Sequence, residues 1–229
     1  MLLMNQSSAF PFLIVLLPLF SCTEHQPSST AQTPAVAKDT TTAASVYTHN
    51  IVFFGNSITA GYGVDPTEAF PSILQNRIDS LKLNYKVINA GVSGETSSGG
   101  NGRISWILKQ PVSVFVLELG GNDGLRGIPL TATKINLQAI IDKVRNKYPQ
   151  AKLVMAGMQI PPNMGLQYST QFKNLFSELA TKNNMQLIPF LLENVGGIPA
   201  LNQRDGIHPT AEGHRIVAEN VWKVLRDDL

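Results

Sequence analysis

From Asn50 onward, short runs of consecutive apolar residues alternate with stretches in which apolar positions recur every three or four residues. The runs Ile51–Phe54, Lys86–Ile88, Val112–Leu119, Leu153–Ala156 and Gln186–Ile188 read as strands. Their near-continuous Val, Ile, Leu and Phe content suits strands covered on both faces. The stretches Phe70–Leu81, Ser98–Leu108, Thr131–Lys147, Thr170–Asn183 and Thr210–Leu225 read as helices. Pro209-Thr210 followed by Glu212 and Gly213 marks a helix start, and Pro149 stops the third helix. Strand and helix alternating over about 180 residues predict a parallel sheet with helices on both faces. In such sheets the site lies beyond the C-terminal ends of the strands. Ser57, Gly94 and Asn122 each follow a strand end, which puts all three on one rim.

The N-terminal part follows a different pattern. Ala9–Phe20 is an apolar run broken by Pro11 and Pro18 and ending at Leu19-Phe-Ser-Cys22. It is shorter than the roughly 20 apolar residues that a membrane span requires. It reads as the core of a secretory signal over residues 1–21. Leu19 and Ser21 before Cys22 resemble a bacterial lipobox, which would make Cys22 the lipidated first residue of an exported, membrane-anchored envelope protein. An ordinary signal peptide and an uncleaved anchor are the alternatives. Residues 22–48 are rich in Ser, Thr, Ala, Pro and Gln without apolar periodicity and read as a disordered tether. The domain proper is residues 49–229.

Composition narrows the function classes. With 229 residues, 43% hydrophobic and 15% charged, the chain can build one sizeable core. A net charge of +2 without a Lys/Arg stripe gives no nucleic-acid footprint. Cys22 is the single cysteine, so the domain has no internal disulfide and no catalytic thiol of its own.

The candidate chemistry lies in four places: Gly55-Asn-Ser57, Gly91-Val-Ser-Gly94, Gly120-Gly-Asn-Asp123 and Asp205-Gly-Ile-His208. Taken singly, each has a bland explanation. A serine after a strand is more often a helix cap. Asp205 and His208 before a helix would be a cap and a solvated ring. Gly94 would serve a positive φ, and Asn122 a turn. Together they supply a hydroxyl, an imidazole, a carboxylate and several oxyanion donors, the set that ester hydrolysis requires.

In order and spacing these blocks resemble the SGNH, or GDSL, hydrolase family. The segments that carry the likeness are Phe54-Gly-Asn-Ser-Ile-Thr-Ala-Gly61, Asn89-Ala-Gly-Val-Ser-Gly-Glu-Thr96, Glu118-Leu-Gly-Gly-Asn-Asp-Gly124 and Asp205-Gly-Ile-His-Pro209. The continuation Leu125-Arg126-Gly127 is similar to the thioesterase I/lysophospholipase L1/arylesterase branch. The first block departs from the founding signature, with Asn56 in place of Asp. The resemblance implies a three-layer α/β/α fold with a five-stranded parallel sheet in flavodoxin-like order. It implies Ser57 as nucleophile, His208 as base and then acid, and Asp205 as its orienting carboxylate. It makes the oxyanion hole from the Ser57 and Gly94 backbone N–H groups and the Asn122 amide.

The acyl chain is expected along Gly157–Gly165, where Met158, Ile160 and Pro161 offer an adaptable apolar surface. The alternative for that loop is that it caps the sheet. Asp123 reads as a structural carboxylate bonding loop amides. Glu118 reads as a partly exposed charge that pairs with Arg126 or Arg103. His214 has no partner at metal-ligand spacing, and Gly61 and Gly63 lack the Lys-Ser/Thr ending of a phosphate loop, so neither a metal nor a cofactor is expected. The reading is a carboxylic ester or thioester hydrolase acting on small esters or lysolipids through an acyl-serine intermediate. A carbohydrate O-deacetylase is the alternative enzyme, and a lipid-binding lipoprotein without catalysis the non-enzymatic one.

Overall fold

The computed structural model of the chain describes residues 47–161 and 164–229. The expected signal segment, Cys22 and the tether as far as residue 46 lie outside the described residues, as do two positions of the expected acyl loop, 162 and 163. Tyr47 and Thr48, placed at the end of the tether from the sequence, are tied to the domain. The Tyr47 hydroxyl donates to Asp79 at 2.8 Å and the Thr48 N–H to the Asn84 side chain at 3.1 Å.

Five parallel strands make one sheet in the order β2-β1-β3-β4-β5: β1 His49–Gly55, β2 Tyr85–Gly91, β3 Val114–Glu118, β4 Lys152–Ala156 and β5 Gln186–Ile188. All five runs expected as strands are strands. The central ones are dry: Ile51 to Phe54 on β1 and every residue of β3 are buried. Covering helices on both sides is the reason, because a central parallel strand has no face left for water. At the edge, β2 is only half buried.

Among the described residues, seven α-helices complete the fold: α1 Ser57–Ala60, α2 Phe70–Ser80, α3 Ser97–Ile107, α4 Gly121–Leu125, α5 Leu130–Lys147, α6 Leu166–Lys182 and α7 Ala211–Leu225. Helices α2 and α7 pack on each other, and α5 packs against both α3 and α6. Each long helix buries one stripe at helical spacing, such as Phe70, Leu74 and Ile78 on α2, or Phe172, Leu175, Phe176 and Leu179 on α6. Two of these α-helices were not among those expected. Helices α1 and α4 span four and five residues, too short for a periodic stripe to declare them. Helix α6 also starts four residues before the expected Thr170, because Leu166 at its first turn points into solvent and breaks the apolar pattern.

The connection after β1 leads to the edge strand β2, whereas the chain from β3 runs on to β4 in the opposite direction across the sheet. Loops leaving β1 and β3 therefore diverge and open a crevice at the carboxyl ends of these neighbours. Ser57 lies just past β1 and Asn122 just past β3. That topology puts them together.

Candidate active site

Strand β1 ends at Gly55 and helix α1 begins at Ser57, so Asn56 is the whole of the turn. The Asn56 side-chain oxygen caps the helix by accepting the Ile58 N–H at 2.9 Å. Ser57 is held at the first helical position, largely buried but facing the crevice.

The residues Asp205 to His208 form a tight turn around one carboxylate. Asp205 Oδ1 accepts the N–H groups of Ile207 at 2.9 Å and His208 at 3.0 Å, and Gly206 takes the left-handed φ of 70° that the turn requires. The other oxygen, Oδ2, lies 2.7 Å from His208 Nδ1. The bond from the His208 ring, reinforced by the two backbone N–H donors, pulls the Asp205 carboxyl down to about 2. With Nδ1 donating to this carboxylate, Nε2 is left as the acceptor. It meets Ser57 Oγ at 2.8 Å.

Neighbouring contacts fix the imidazole. The Tyr62 ring lies against it, with centroids 4.7 Å apart. Gln203 donates its N–H to the His208 carbonyl at 2.7 Å and its side-chain amide to the Tyr62 carbonyl at 2.6 Å. The loop after α1 and the loop before α7 are thereby sewn together across the serine.

On the other side of Ser57, the Asn122 amide on α4 donates to the Glu95 carbonyl at 3.0 Å, which sets its direction. Arg126 donates to the Gly94 carbonyl at 3.0 Å. These two bonds clamp the Gly94–Glu95 turn onto α4. Gly94 has φ 78°, and an added Cβ would meet nothing closer than an Arg126 nitrogen at 3.8 Å, so conformation rather than space requires glycine there. Among the described residues, neither the Ser57 nor the Gly94 N–H is engaged by a protein acceptor. Gly94 itself stands outside the lining of the crevice, whereas Ser57, Asn122 and His208 are in it.

The crevice is a cavity of about 450 Å³. Met158, Ile160 and Pro161 line it, the first two also buried in the core. Wall and sheet cap are therefore one role at these positions. Further wall residues escaped the sequence reading: Leu125, Phe190, Leu192 and Ile207. The run Phe190-Leu-Leu192 directly after β5 was the available signal, because the site of a parallel sheet gathers residues from just past each strand end.

Glu118 departs from expectation. It is 1% exposed, and among the described residues no cation reaches it. Arg103 is taken up by Glu95, with Nε 2.6 Å from Oε1, and lies over the Phe54 ring, while Arg126 holds Gly94. Glu118 instead accepts from the Asn56 backbone N–H at 3.0 Å, the Asn56 amide at 2.7 Å and the Thr59 hydroxyl at 2.8 Å. Burial outweighs these three bonds and pushes its carboxyl up to about 7. Asp123 has the structural role expected of it, accepting the Ser97 N–H at 2.8 Å and the Ser97 and Thr133 hydroxyls. His214 is buried in the first turn of α7, where its Nδ1 accepts the Phe70 N–H at 3.3 Å. Burial, and secondarily the nearby His208, brings its pKa down to about 4.

A hydroxyl on an imidazole on a carboxylate, beside free N–H donors and an apolar cavity, suits acyl transfer. The comparisons agree. Residues 53–216 match the model of the GDSL-like Lipase/Acylhydrolase family. Esterase TesA of Pseudomonas aeruginosa is 37% identical over 177 residues, covering 77% of this chain and 87% of that one. Thioesterase 1/protease 1/lysophospholipase L1 of Escherichia coli K12 is 34% identical over 177 residues, covering 77% and 83%. A crystal structure of TesA superposes with a TM-score of 0.76 at 37% identity, covering 79% of this chain and all of that one. With the family's sequence blocks, its sheet and a serine facing a histidine all in one chain, this protein belongs to the GDSL-like lipase/acylhydrolase family and is an SGNH-type hydrolase of esters or thioesters.

Proposed function

We propose that Ser57 is the nucleophile, His208 the general base and acid, Asp205 the carboxylate that orients it, and the Ser57 and Gly94 N–H groups with the Asn122 amide the oxyanion hole. The observation that carries this reading is the continuous line from Asp205 Oδ2 through His208 to Ser57 Oγ, at 2.7 and 2.8 Å. Ser57 Oγ attacks the carbonyl carbon while His208 Nε2 takes the hydroxyl proton. The oxyanion forms against the three donors. As the tetrahedral intermediate collapses, His208 returns that proton to the departing alcohol or thiol, leaving an acyl-serine. Water, deprotonated by the same nitrogen, then releases the acid and restores Ser57.

The acyl group lies in the cavity walled by Leu125, Met158, Ile160, Phe190, Leu192 and Ile207. That space is apolar and exceeds what an acetyl group needs, which favours longer acyl chains over O-deacetylation. The Escherichia coli relative is named in part a lysophospholipase. Together with the lipobox-like Leu19-Phe-Ser-Cys22, this supports a lysophospholipid or exogenous ester as substrate, met by an enzyme exported to the bacterial envelope and anchored through a lipid on Cys22.

A fluorophosphonate probe tests the chemistry: it labels the purified protein and fails to label Ser57→Ala. An unlabelled wild type overturns the proposal. For the anchor, metabolic incorporation of radiolabelled palmitate is expected in the wild type and lost in Cys22→Ala; equal incorporation in both removes it.

A further inference from the structure

Large apolar side chains that stand in solvent gather at one end of the sheet. Each strand is followed by at least one: Tyr62 after β1, Val92 after β2, Leu125 after β3, Leu166 after β4, and Ile198 and Ile207 after β5. That is the end where Ser57 stands. Leu125 and Ile207 line the crevice, Ile198 adjoins Gly197 in its lining, and the Tyr62 ring lies against His208. Exposed apolar residues scattered singly are ordinary, whereas a set gathered around one opening marks an interaction surface. Charge follows the opposite gradient. The segments between each strand end and the next long helix, 56–69, 92–96, 119–129, 157–165 and 189–210, contain no lysine. Lys82, Lys109, Lys147, Lys152 and Lys182 stand instead in or beside the loops that lead into β2 to β5, at the far end. A strongly hydrated ammonium is costly to press against lipid. The cations of the serine end are Arg126 and Arg204, whose guanidinium groups are more weakly hydrated.

We propose that this rim is a docking surface for a phospholipid bilayer: its apolar side chains enter the outer layer, and the crevice opens directly onto the ester held there. A second copy of the chain or a protein partner seated on the rim would stopper the crevice. A bilayer instead delivers the acyl ester that the apolar wall receives. Tyr62 suits such an interface, with an apolar ring and a polar tip. The length of chain before the domain permits this orientation. It joins β1 at its start, the lysine end, so it leaves the domain on the side away from the crevice. The 25 residues 22–46 extend to at most about 85 Å, against about 23 Å for the seven residues of β1. That reach lets the domain turn its serine end toward a membrane holding a lipid on Cys22.

This inference rests on Ser57 and the apolar cavity being an acyl-ester site, which fluorophosphonate labelling of the wild type and of Ser57→Ala decides independently. Its own test is optical and needs no turnover. The full chain carrying Ile198→Trp, and separately Leu81→Trp at the far end, is mixed with vesicles of brominated phosphatidylcholine. The wild type gives the background of Trp106 and Trp222. Emission of Ile198→Trp is expected to be quenched severalfold more than that of Leu81→Trp. Equal quenching of the two, stronger quenching of Leu81→Trp, or none of either overturns the proposal. Kinetics give a second reading. The double variant Leu166→Ser/Ile198→Ser should lose roughly tenfold or more in turnover of p-nitrophenyl laurate held in phosphatidylcholine vesicles, the cost of withdrawing two apolar side chains from lipid. Its kcat/KM on soluble p-nitrophenyl butyrate should match the wild type. Equal losses on both esters, or none on either, overturn the proposal as well.

Discussion

His208 Nε2 stands 2.8 Å from Ser57 Oγ although 151 positions of chain separate the two residues. Ser57 is held by the end of β1, and His208 by a turn that Asp205 closes and Gln203 ties to Tyr62. Both supports consist of contacts within the chain, so the pair is in place without substrate.

Removing the hydroxyl removes the reaction without touching the fold. Ser57→Ala should lower kcat by about 10⁴-fold or more while the melting temperature stays within a few degrees. Turnover of a p-nitrophenyl ester, with residual activity titrated against the fluorophosphonate, measures it.

Asp205→Asn should cost about 10³- to 10⁴-fold in kcat, since an amide oriented by the Ile207 and His208 N–H groups presents its own N–H to Nδ1 and selects the wrong tautomer. Because the Asp205 carboxyl is held down at about 2, it stays ionised over mildly acidic pH. The wild-type acid limb should therefore appear well above that value, and a limb centred near it would contradict the assignment.

Asn122→Ala should reduce kcat by roughly 100- to 1000-fold with KM little changed, the cost of losing one donor of the proposed oxyanion hole. A variant that loses KM and keeps kcat would place Asn122 in ground-state binding instead.

The cavity predicts a chain-length profile. Along a series of p-nitrophenyl esters from acetate upward, kcat/KM should rise by about fourfold for each methylene that becomes buried, until the cavity is full. Ile160→Ala should flatten that rise. A profile that peaks at acetate would favour the deacetylase.

Two buried groups set opposing pH dependences of stability. Glu118 is raised from 4.5 to about 7, so between those values the folded chain holds a proton that the unfolded chain has lost, and stability falls as pH rises. His214 is lowered from 6.5 to about 4, so in that window the unfolded chain holds the extra proton, and stability falls as pH drops. In the wild type the two slopes largely cancel. Glu118→Gln should unmask the His214 slope, a gain of roughly 3 kcal/mol between its two values as pH rises. Urea denaturation across that range reads it, and a Glu118→Gln slope equal to that of the wild type refutes it.

What was legible in the sequence was local. A strand such as Ile51–Phe54 announces itself because burial on both faces requires an unbroken apolar run, and a helix such as α5 because one buried stripe recurs at helical spacing. The turn residues Ser57, Gly94, Asn122, Asp205 and His208 were legible as a set, through the blocks that contain them. Helices α1 and α4 were not, since a single turn has no period to detect.

By itself the sequence determined the elements, the order of the blocks and the chemical groups available for acyl transfer. Only the tertiary structure decided which groups meet. Glu118 pairs with Asn56 and Thr59 rather than an arginine because the register of β3 on β1 carries it beneath the serine turn and away from solvent. The cavity wall draws Leu125 from α4 and Phe190, Leu192 and Ile207 from the long segment between β5 and α7 for the same kind of reason. Contacts between residues far apart in the chain follow from strand order and register, and neither is written in any local pattern.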